Sequence, residues 1–580
     1  MKPPFRFGIV GGGLTATSML CQLVGKARKA AAVGQLDPRR ISLAVFERAD
    51  SFGPGFPHNE RYLMPFHITN MCAADMGVYV DRPGDFQAWV DRNLDRLRIR
   101  FRDFPAKAFV PIPGPAGCRH YPRAFMGEYL RFRFKEALED ARRSGMSIRL
   151  YPCHEVIDIR LEGGLVHIVE KEAGQGVNQE LPFDAALLAT GHWFSDSGLE
   201  NYFDSPWPAS RLHDQIPPGA SVGVIGTSLS AIETALTLTS DGRFKGGAGR
   251  RLVYVASKNP RTITLYSRRG LLPRVRGKAG SYRNRFLTQA VVEKLLGQGG
   301  DRHHLEAVFR LLNMELESAY GRALDWAEVL DPSGSAADFL RRSLREAENG
   351  DGPQGEVLWQ TVFFQTFGFV RQWYLELTEE ERRGFDRTYA SVFFTHAATQ
   401  PRLNAAKLLA LIESGHVRVL KLGHRYRFRR DERNGCYRFE YMDRDGHPRS
   451  DSYRYVVNAR GQEKFLDTDP SELARNLIAK GWVQSVRLEA ESPESETAKT
   501  ATRGRPLEDR LLRAGSIRIN PQTHQVETSA SGEPAAELLY AVGAMTRGRI
   551  IDASMAHGLA RSTATVADRI LEKIILKQIG

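Results

Sequence analysis

Twice along the chain, a short and nearly unbroken apolar run ends in a glycine-led turn and gives way to helical periodicity. The first runs from Phe5 to Val10 into Gly11-Gly12-Gly13, with a helix pattern from Leu14 to about Lys26. The second runs from Ser221 to Ile225 into Gly226-Thr227-Ser228-Leu229-Ser230-Ala231, again followed by a helix. An apolar run without polar alternation is the pattern of a strand covered on both faces, as in a parallel sheet between helices. Further strands are predicted at Ile41 to Phe46 (ending at Glu47), Ser147 to Tyr151, Leu165 to Lys171, Ala185 to Ala189, Thr262 to Tyr266, Val417 to Leu420 and Tyr453 to Asn458. Helices are predicted near Asp85 to Leu97 and Tyr121 to Arg143. The interval AAAVGQLDPRR before Ile41 reads as an inserted turn.

From about Ser281 to Pro401 the pattern is mostly helical and rich in aromatics. Residues 489–507 are polar and read as a mobile loop. The tail from Leu538 reads as strand, turn, then helix to Ile575. Strand–helix alternation interrupted by a helical block predicts an α/β protein carrying a helical insertion, and the two glycine-led strand–turn–helix units make it one with two Rossmann-like dinucleotide-binding domains. The expected boundaries are a first part of the N-terminal dinucleotide-binding domain at 1–195, a first part of the other at 196–280 and the insertion or cap at 281–400. The second part of the inner domain is 401–460 and that of the N-terminal domain 461–580. No tandem repeat of about 20–50 residues is found.

Composition changes little in this picture. With 580 residues, 42% of them hydrophobic and 26% charged, the chain is an ordinary globular one with ample length for a core. Its five cysteines (Cys21, Cys72, Cys118, Cys153, Cys436) are scattered and odd in number, with no CxxC pair. That argues against a disulfide framework, a zinc ribbon or a redox dithiol, and favours a reducing cytoplasm. No apolar run reaches the ~18 residues of a membrane span, and no signal-peptide pattern precedes the first glycines.

Gly11-Gly12-Gly13-Leu14-Thr15-Ala16 matches GxGxxA between strand and helix. The first glycine makes the tight turn, the second admits a pyrophosphate to the backbone, and Ala16 lets helix and strand pack closely. Glu47, with Arg48 after it, ends the second strand, where a carboxylate accepts ribose hydroxyls; the insert puts it beyond the usual ~20 residues. An N-terminal position favours FAD over NAD. At the other end, Leu538-Leu539-Tyr540-Ala541-Val542-Gly543-Ala544-Met545-Thr546-Arg547-Gly548 is a strand leading into a glycine turn that can return to the flavin, with Asp552 and a helix from about Ser554 following. The expected cofactor-binding set also takes in Gly53, Gly55, Asn70, Val156, Thr190 and Gly191.

The second fingerprint has Ser228 where a glycine is usual. Its next strand ends in Ser267-Arg268-Arg269 instead of an acid, which suits the 2′-phosphate of NADPH. Gly226, Thr227, Ser228, Arg268 and Arg269 are therefore the expected NADP site. The net charge is +13, from 81 Lys and Arg against 68 Asp and Glu. Arg243 to Arg285 holds thirteen basic residues and no acid. A solvated basic face is the plain alternative; nucleic-acid binding lacks any recognised module.

Together these motifs resemble the two-dinucleotide flavoproteins. The resemblance rests on the two fingerprints, the hinge Ala189-Thr190-Gly191-His192 and the return Val457-Asn458-Ala459-Arg460-Gly461. The layout is similar to class B flavin monooxygenases, including amino-acid N-hydroxylases. It most resembles a bacterial branch of FAD/NAD(P)-binding proteins whose reactions are mostly unassigned. The marks of that branch are Gly53-Pro54-Gly55, Tyr121-Pro122-Arg123 before Gly127-Glu128-Tyr129, Gly226 to Ser230, Ser267 to Pro273, and Asn458-Ala459-Arg460-Gly461-Gln462. Members of this family tolerate serine in the second fingerprint.

The resemblance implies FAD and NADPH as cofactors and hydride transfer between them. With no redox cysteine pair, molecular oxygen is the expected acceptor. The leading expectation is a cytoplasmic FAD-dependent monooxygenase whose C4a-hydroperoxyflavin oxygenates a small nucleophilic substrate, an amine being one class and an anion another. A flavin reductase without oxygen insertion and a non-catalytic FAD-binding sensor are the alternatives. Candidate catalytic residues are Asn70, Arg123, His396 and Arg402. A surface salt bridge is an equal reading of Arg123, and His58 and His67 read as loop structure. The aromatics Trp359, Phe363, Phe364, Phe367, Phe369, Trp373 and Tyr374 read mainly as core. They also suit a pocket wall or a homo-oligomer contact.

Overall fold

A computed structural model describes residues 3–114, 117–174, 176–247, 250–280, 282–297, 304–385, 389–423, 425–461, 465–487, 512–527 and 537–579 of the chain. The first half consists of β1 (Phe5–Val10), α1 (Leu14–Ala32), β2 (Ile41–Glu47), α2 (Arg123–Arg143), β3 (Ser147–Pro152), a meander of β4 (His154–Glu162), β5 (Leu165–Glu172) and β6 (Asn178–Phe183), and β7 (Ala185–Leu188). Then come β8 (Tyr202–Phe203), β9 (Ser221–Ile225), α3 (Leu229–Leu238), β10 (Thr262–Ser267), and the insertion helices α4 (His304–Tyr320), α5 (Ala336–Asn349), α6 (Leu358–Glu376) and α7 (Ala390–Ala397). The chain closes with α8 (Arg402–Glu413), β11 (Val417–Lys421), a second meander of β12 (Arg427–Asp431), β13 (Cys436–Met442) and β14 (Pro448–Tyr453), then β15 (Tyr455–Asn458), β16 (Leu539–Ala541) and α9 (Ala556–Ile579).

Two parallel five-stranded sheets result. The first has the order β16-β7-β1-β2-β3 and the second β8-β15-β9-β10-β11. Each is accompanied by a three-stranded antiparallel meander inserted before its returning strand, β7 or β15. The continuous apolar runs are the central strands: Phe7, Ile9, Leu187 and Leu188 are fully buried in the first sheet, Val222, Val224 and Val457 in the second. α1, α2 and α9 cover one face of the first sheet, and the meander covers the other.

The same construction is used at both glycine turns. Gly11 has φ +104° and Gly226 φ +129°, a region that favours glycine. A Cβ on Gly11 would lie 2.3 Å from the Ala189 carbonyl oxygen; one on Gly226 would lie 2.5 Å from that of Ala459. Gly11 N–H donates to Phe46 O (2.8 Å) and Gly226 N–H to Tyr266 O (2.7 Å). Ala189 N–H donates to Val10 O and Ala459 N–H to Ile225 O, both at 2.8 Å. Both returning motifs therefore close directly over the end of the first strand of their own domain.

Some local expectations change. α1 runs through Ala32, its alanine-rich end extending the helix into the supposed turn. The predicted strand at Tyr453 to Asn458 is two strands, breaking at Arg454. The helix near Asp85 is also two, Asp85–Arg92 and Leu94–Arg100. The loop expected at 489–507 lies among residues outside the described ones, as does Gln462.

The insertion has its own core, in which Trp359, Phe363, Trp373, Phe385 and Phe393 are buried. Its entry is pinned by Glu315, which accepts from three consecutive backbone N–H groups, Arg285, Phe286 and Leu287. The aromatic residues thus pack largely within the chain.

Candidate functional site

One cavity of about 1090 Å³ lies where the first sheet, the second sheet and the insertion meet. That is at the upper end of ordinary ligand pockets, about 300–1,000 Å³. Its walls include Gly11, Gly12, Gly13, Leu14, Thr15, Glu47, Arg48, Gly55, Asn70, Arg123, Thr190, Gly191 and Gly543 from the expected set. Leu229 and Ser230, at the N-terminus of α3, line the same cavity, as do Phe363, Phe364 and Phe367 of the insertion. The first glycine turn and the start of the helix that follows the second therefore border one space.

At the first turn, Glu47 Oε2 accepts from Gly12 N–H (2.7 Å) and Oε1 from Ala49 N–H (2.9 Å). This fixes the carboxylate while leaving each oxygen a lone pair for a hydroxyl. The Gly53–Gly55 turn packs onto the Gly11–Gly13 turn: Gly53 N–H donates to Gly12 O (2.7 Å), and a Cβ on Gly13 would lie 3.1 Å from Gly55 Cα. Ala16 is fully buried beneath the turn. β16 pairs in parallel with β7, Val542 N–H donates to Leu188 O (3.0 Å), and Gly543 comes to the cavity beside Thr15. Thr546 is buried behind Gly543, donating its hydroxyl to the Gly543 carbonyl (2.8 Å). Val156 sits in the core under the meander and Gly53 against α2; neither lines the cavity.

The cradle has unmet hydrogen-bonding capacity. Asn70 Oδ1 and His58 Nδ1 are buried and without a hydrogen-bond partner, and both residues line the cavity. Buried polar atoms are nearly always paired, so these fit a polar ligand that supplies partners. The glycine-lined turn, the held carboxylate and these two atoms fit a dinucleotide such as FAD. Burial, with Arg123 and His192 adding to it, pushes the His58 pKa down to about 3. Burial does the same to His192, with Arg547 adding to it. These imidazoles are neutral at pH 7.

At the second turn, Ser228 is less of a departure than its residue type implies. It caps α3 at φ −89°, ψ −167°, close to the φ −86°, ψ −154° of Gly13 capping α1. Any residue adopts that conformation. Thr227 donates to the Leu271 carbonyl (2.6 Å) and to Ser267 Oγ (3.0 Å), tying the turn to the end of β10, where exposed Arg268 and half-buried Arg269 follow. Gly226, Thr227, Ser228, Arg268 and Arg269 do not themselves line the cavity.

The basic run is not one binding stripe. Arg261 is buried and donates to the carbonyls of Ile216, Leu238 and His213 and to Asp241. Arg251 pairs with Glu413 and Arg274 with Glu346.

Arg123 opens α2 and reaches across to the second domain, its NH2 2.6 Å from Glu233 Oε1 on α3. This is a buried ion pair between the two dinucleotide domains, not a surface one. Burial pushes the Glu233 pKa up to about 7 against the pull of Arg123. His67, also buried, bonds Thr237 of the same helix (3.0 Å). His396 packs against Trp359 and Phe363 in the insertion core, and Arg402 donates to the Ala347 carbonyl; neither lines the cavity.

The cysteine expectation needs correction. Cys72 and Cys118 form a disulfide across 46 residues, with Cα atoms 5.3 Å apart. Their segments are drawn together by the Thr69 N–H bond to Tyr121 O (2.9 Å) and the Ile68–Pro122 bridge, which no linear spacing reveals. Both cysteines border the cavity. The pairing removes the cysteine argument for a reducing compartment. Also missed were Trp193, Trp207 and Arg276 on the cavity wall. Arg276 was visible only as one of thirteen basic residues.

Residues 8–193 match the profile of a protein family described as FAD-NAD(P)-binding. The chain is 26% identical over 497 residues to the Escherichia coli (strain K12) uncharacterized protein YdhS, covering 80% of this chain and 84% of that one. Its fold is similar to the ornithine N-hydroxylase of Kutzneria sp. 744, solved with reduced FAD, NADP+ and L-ornithine (TM-score 0.51, 13% identity, 98% and 100% of the two chains covered). It is also similar to the FAD-bound cadaverine monooxygenase DfoA of Erwinia amylovora (TM-score 0.50, 10% identity, 99% and 96% covered). The chain thus shares the fold of these structures, with two dinucleotide-binding domains. No helix among the described residues is long and apolar enough to cross a membrane.

Proposed function

With residues 8–193 forming an FAD/NAD(P)-binding domain, we propose that the protein is an NADPH-using flavin monooxygenase acting on a small nucleophilic substrate. The observation that carries this reading is one cavity walled by the Gly11–Gly13 turn, by the N-terminus of α3 after the second turn, and by the insertion. A donor and an acceptor dinucleotide held at those two turns would share one space with a substrate.

When bound, the flavin supplies hydride acceptance and oxygen activation. The chain supplies the rest. Gly11 to Leu14 present the backbone and helix N-terminus to a pyrophosphate, Glu47 holds ribose hydroxyls, and Asn70 Oδ1 offers an acceptor to the ring system. Arg268 and Arg269, following β10, are the proposed 2′-phosphate partners. Phe363, Phe364 and Phe367 close the insertion side with apolar surface, which excludes water from the reacting atoms. The Arg123–Glu233 pair holds the two domains in register across the cavity. Oxygen is the proposed acceptor and a primary amine the leading substrate class, the latter by analogy with the fold relatives. The proposed compartment is the cytoplasm, where a disulfide such as Cys72–Cys118 is uncommon. The boundaries at residues 195, 280, 400 and 460 remain part of this reading.

The test is NADPH oxidation by the FAD-loaded protein under labelled oxygen with a panel of primary amines, including ornithine and cadaverine. The proposal expects a product carrying one oxygen atom from O2 per NADPH consumed. Turnover with an artificial electron acceptor but never with oxygen would overturn it in favour of a reductase.

A further inference from the structure

The segment between β10 and the insertion carries three basic residues at alternate positions, Arg274, Arg276 and Lys278. Two of them have partners. Arg274 NH1 lies 3.4 Å from Glu346, and Lys278 Nζ donates to the Gln354 carbonyl (2.9 Å). Arg276 lies between them on the cavity wall.

Its backbone is held on both sides. Arg276 N–H donates to Gln400 O (2.9 Å), Gln400 N–H to Arg274 O (2.8 Å), and Gly277 N–H to Gln360 Oε1 (3.0 Å). The side chain is positioned by Nε donating to Thr399 Oγ1 (2.9 Å) and by the Phe364 ring, 5.2 Å from the guanidinium carbon. Among the described residues, no carboxylate lies within 4.0 Å of the guanidinium. The acid that acts on it most is Asp75, an exposed residue also on the cavity wall. Burial holds the group below the ordinary arginine pKa, with Asp75 opposing. A partly buried cation on a cavity wall is costly without a counter-charge, and among the described residues no carboxylate pairs it.

We propose that Arg276 is the anion receptor of this cavity. Its free NH1/NH2 edge would fork onto a carboxylate of the substrate, whose apolar stem lies against Phe363, Phe364 and Phe367. A guanidinium presents paired donors in the geometry of an oxyanion, and its Nε anchor to Thr399 leaves the terminal edge for the ligand. The inference rests on the cavity being the substrate site and narrows the substrate class to primary amines that also carry a carboxylate on an apolar or aromatic body. An oxyanion could come from a second source, the phosphates of NADPH, so the experiment separates the two.

The test uses the full-length protein and follows tryptophan fluorescence, because Trp193 and Trp207 line the cavity. Benzoate and hexanoate are the probes, benzamide is the uncharged control, and NADP+ is titrated separately. The expected result is saturable binding of the carboxylates, at least about tenfold tighter than benzamide. Arg276→Gln should weaken benzoate by at least about tenfold while leaving NADP+ within about twofold. Arg276→Lys, which keeps the charge but not the fork, should fall between, and it carries the test if the glutamine variant does not fold. Equal benzoate affinity in a folded variant, no carboxylate binding by the wild type, or a loss confined to NADP+ would each overturn the proposal. The readout needs no flavin, so a failure to bind FAD would count against the proposed function and leave this result standing by itself.

Discussion

The buried pair between the domains makes a prediction about pH. Glu233 lies on α3 with Arg123 NH2 at 2.6 Å, and burial raises its pKa from 4.5 to about 7. The folded protein therefore holds this proton more tightly than the unfolded chain does. The resulting stability is fully present below about pH 4.5 and is lost as pH rises through about 7. A shift of about 2.5 pKa units corresponds to about 3 kcal/mol at about 1.4 kcal/mol per unit. Glu233→Gln keeps the shape and removes the titration. Urea unfolding of both proteins from about pH 5 to about pH 8 should show the glutamine variant gaining about 2–3 kcal/mol relative to wild type as pH rises. Groups common to both proteins cancel in the difference, including His58 and His192, whose depressed pKa values act in the opposite direction. A difference that stays flat with pH, or falls, would refute the reasoning.

Three further outcomes are expected. Replacing Arg268 and Arg269 with Ala should raise the KM for NADPH by roughly ten- to a hundredfold and that for NADH by less than about threefold; equal changes would mean these residues do not hold the 2′-phosphate. Ser228→Gly should change thermal stability by less than about 1 kcal/mol, because φ −89° already suits any residue, whereas Gly226→Ala should cost several times that, since its Cβ would lie 2.5 Å from Ala459 O. A thiol reagent should count three cysteines in denatured, unreduced protein and five after reduction, with Cys72→Ser lowering stability by up to about 4 kcal/mol.

What the chain shows without its structure follows from how each feature is specified. Gly11 and Gly226 are legible because a positive φ leaves little choice but glycine, and the central strands because burial on both faces forces unbroken apolar runs. The second meander was not read: β12 and β14 are rich in Arg, Asp and Ser and resemble loop, and the alternation of Tyr437, Phe439 and Tyr441 in β13, a strand signal, was missed. Ser228 looked like a defect because residue type suggests a conformational need that the backbone does not have. The basic run looked like one field, but Arg261, Arg274 and Arg251 are spent on carbonyls and acids distant in sequence. The Cys72–Cys118 bond and the Arg276–Thr399 contact join residues 46 and 123 apart, which local pattern cannot encode.

The central claim is that one cavity seats FAD and a nicotinamide donor together. The most direct measurement is the visible spectrum of the purified protein, supplied with FAD and then mixed anaerobically with NADPH. The expected result is a bound flavin whose absorbance at about 450 nm, that of an oxidised isoalloxazine, bleaches on mixing. Folded protein that leaves FAD free in solution, or binds it and stays yellow under excess NADPH, would contradict it.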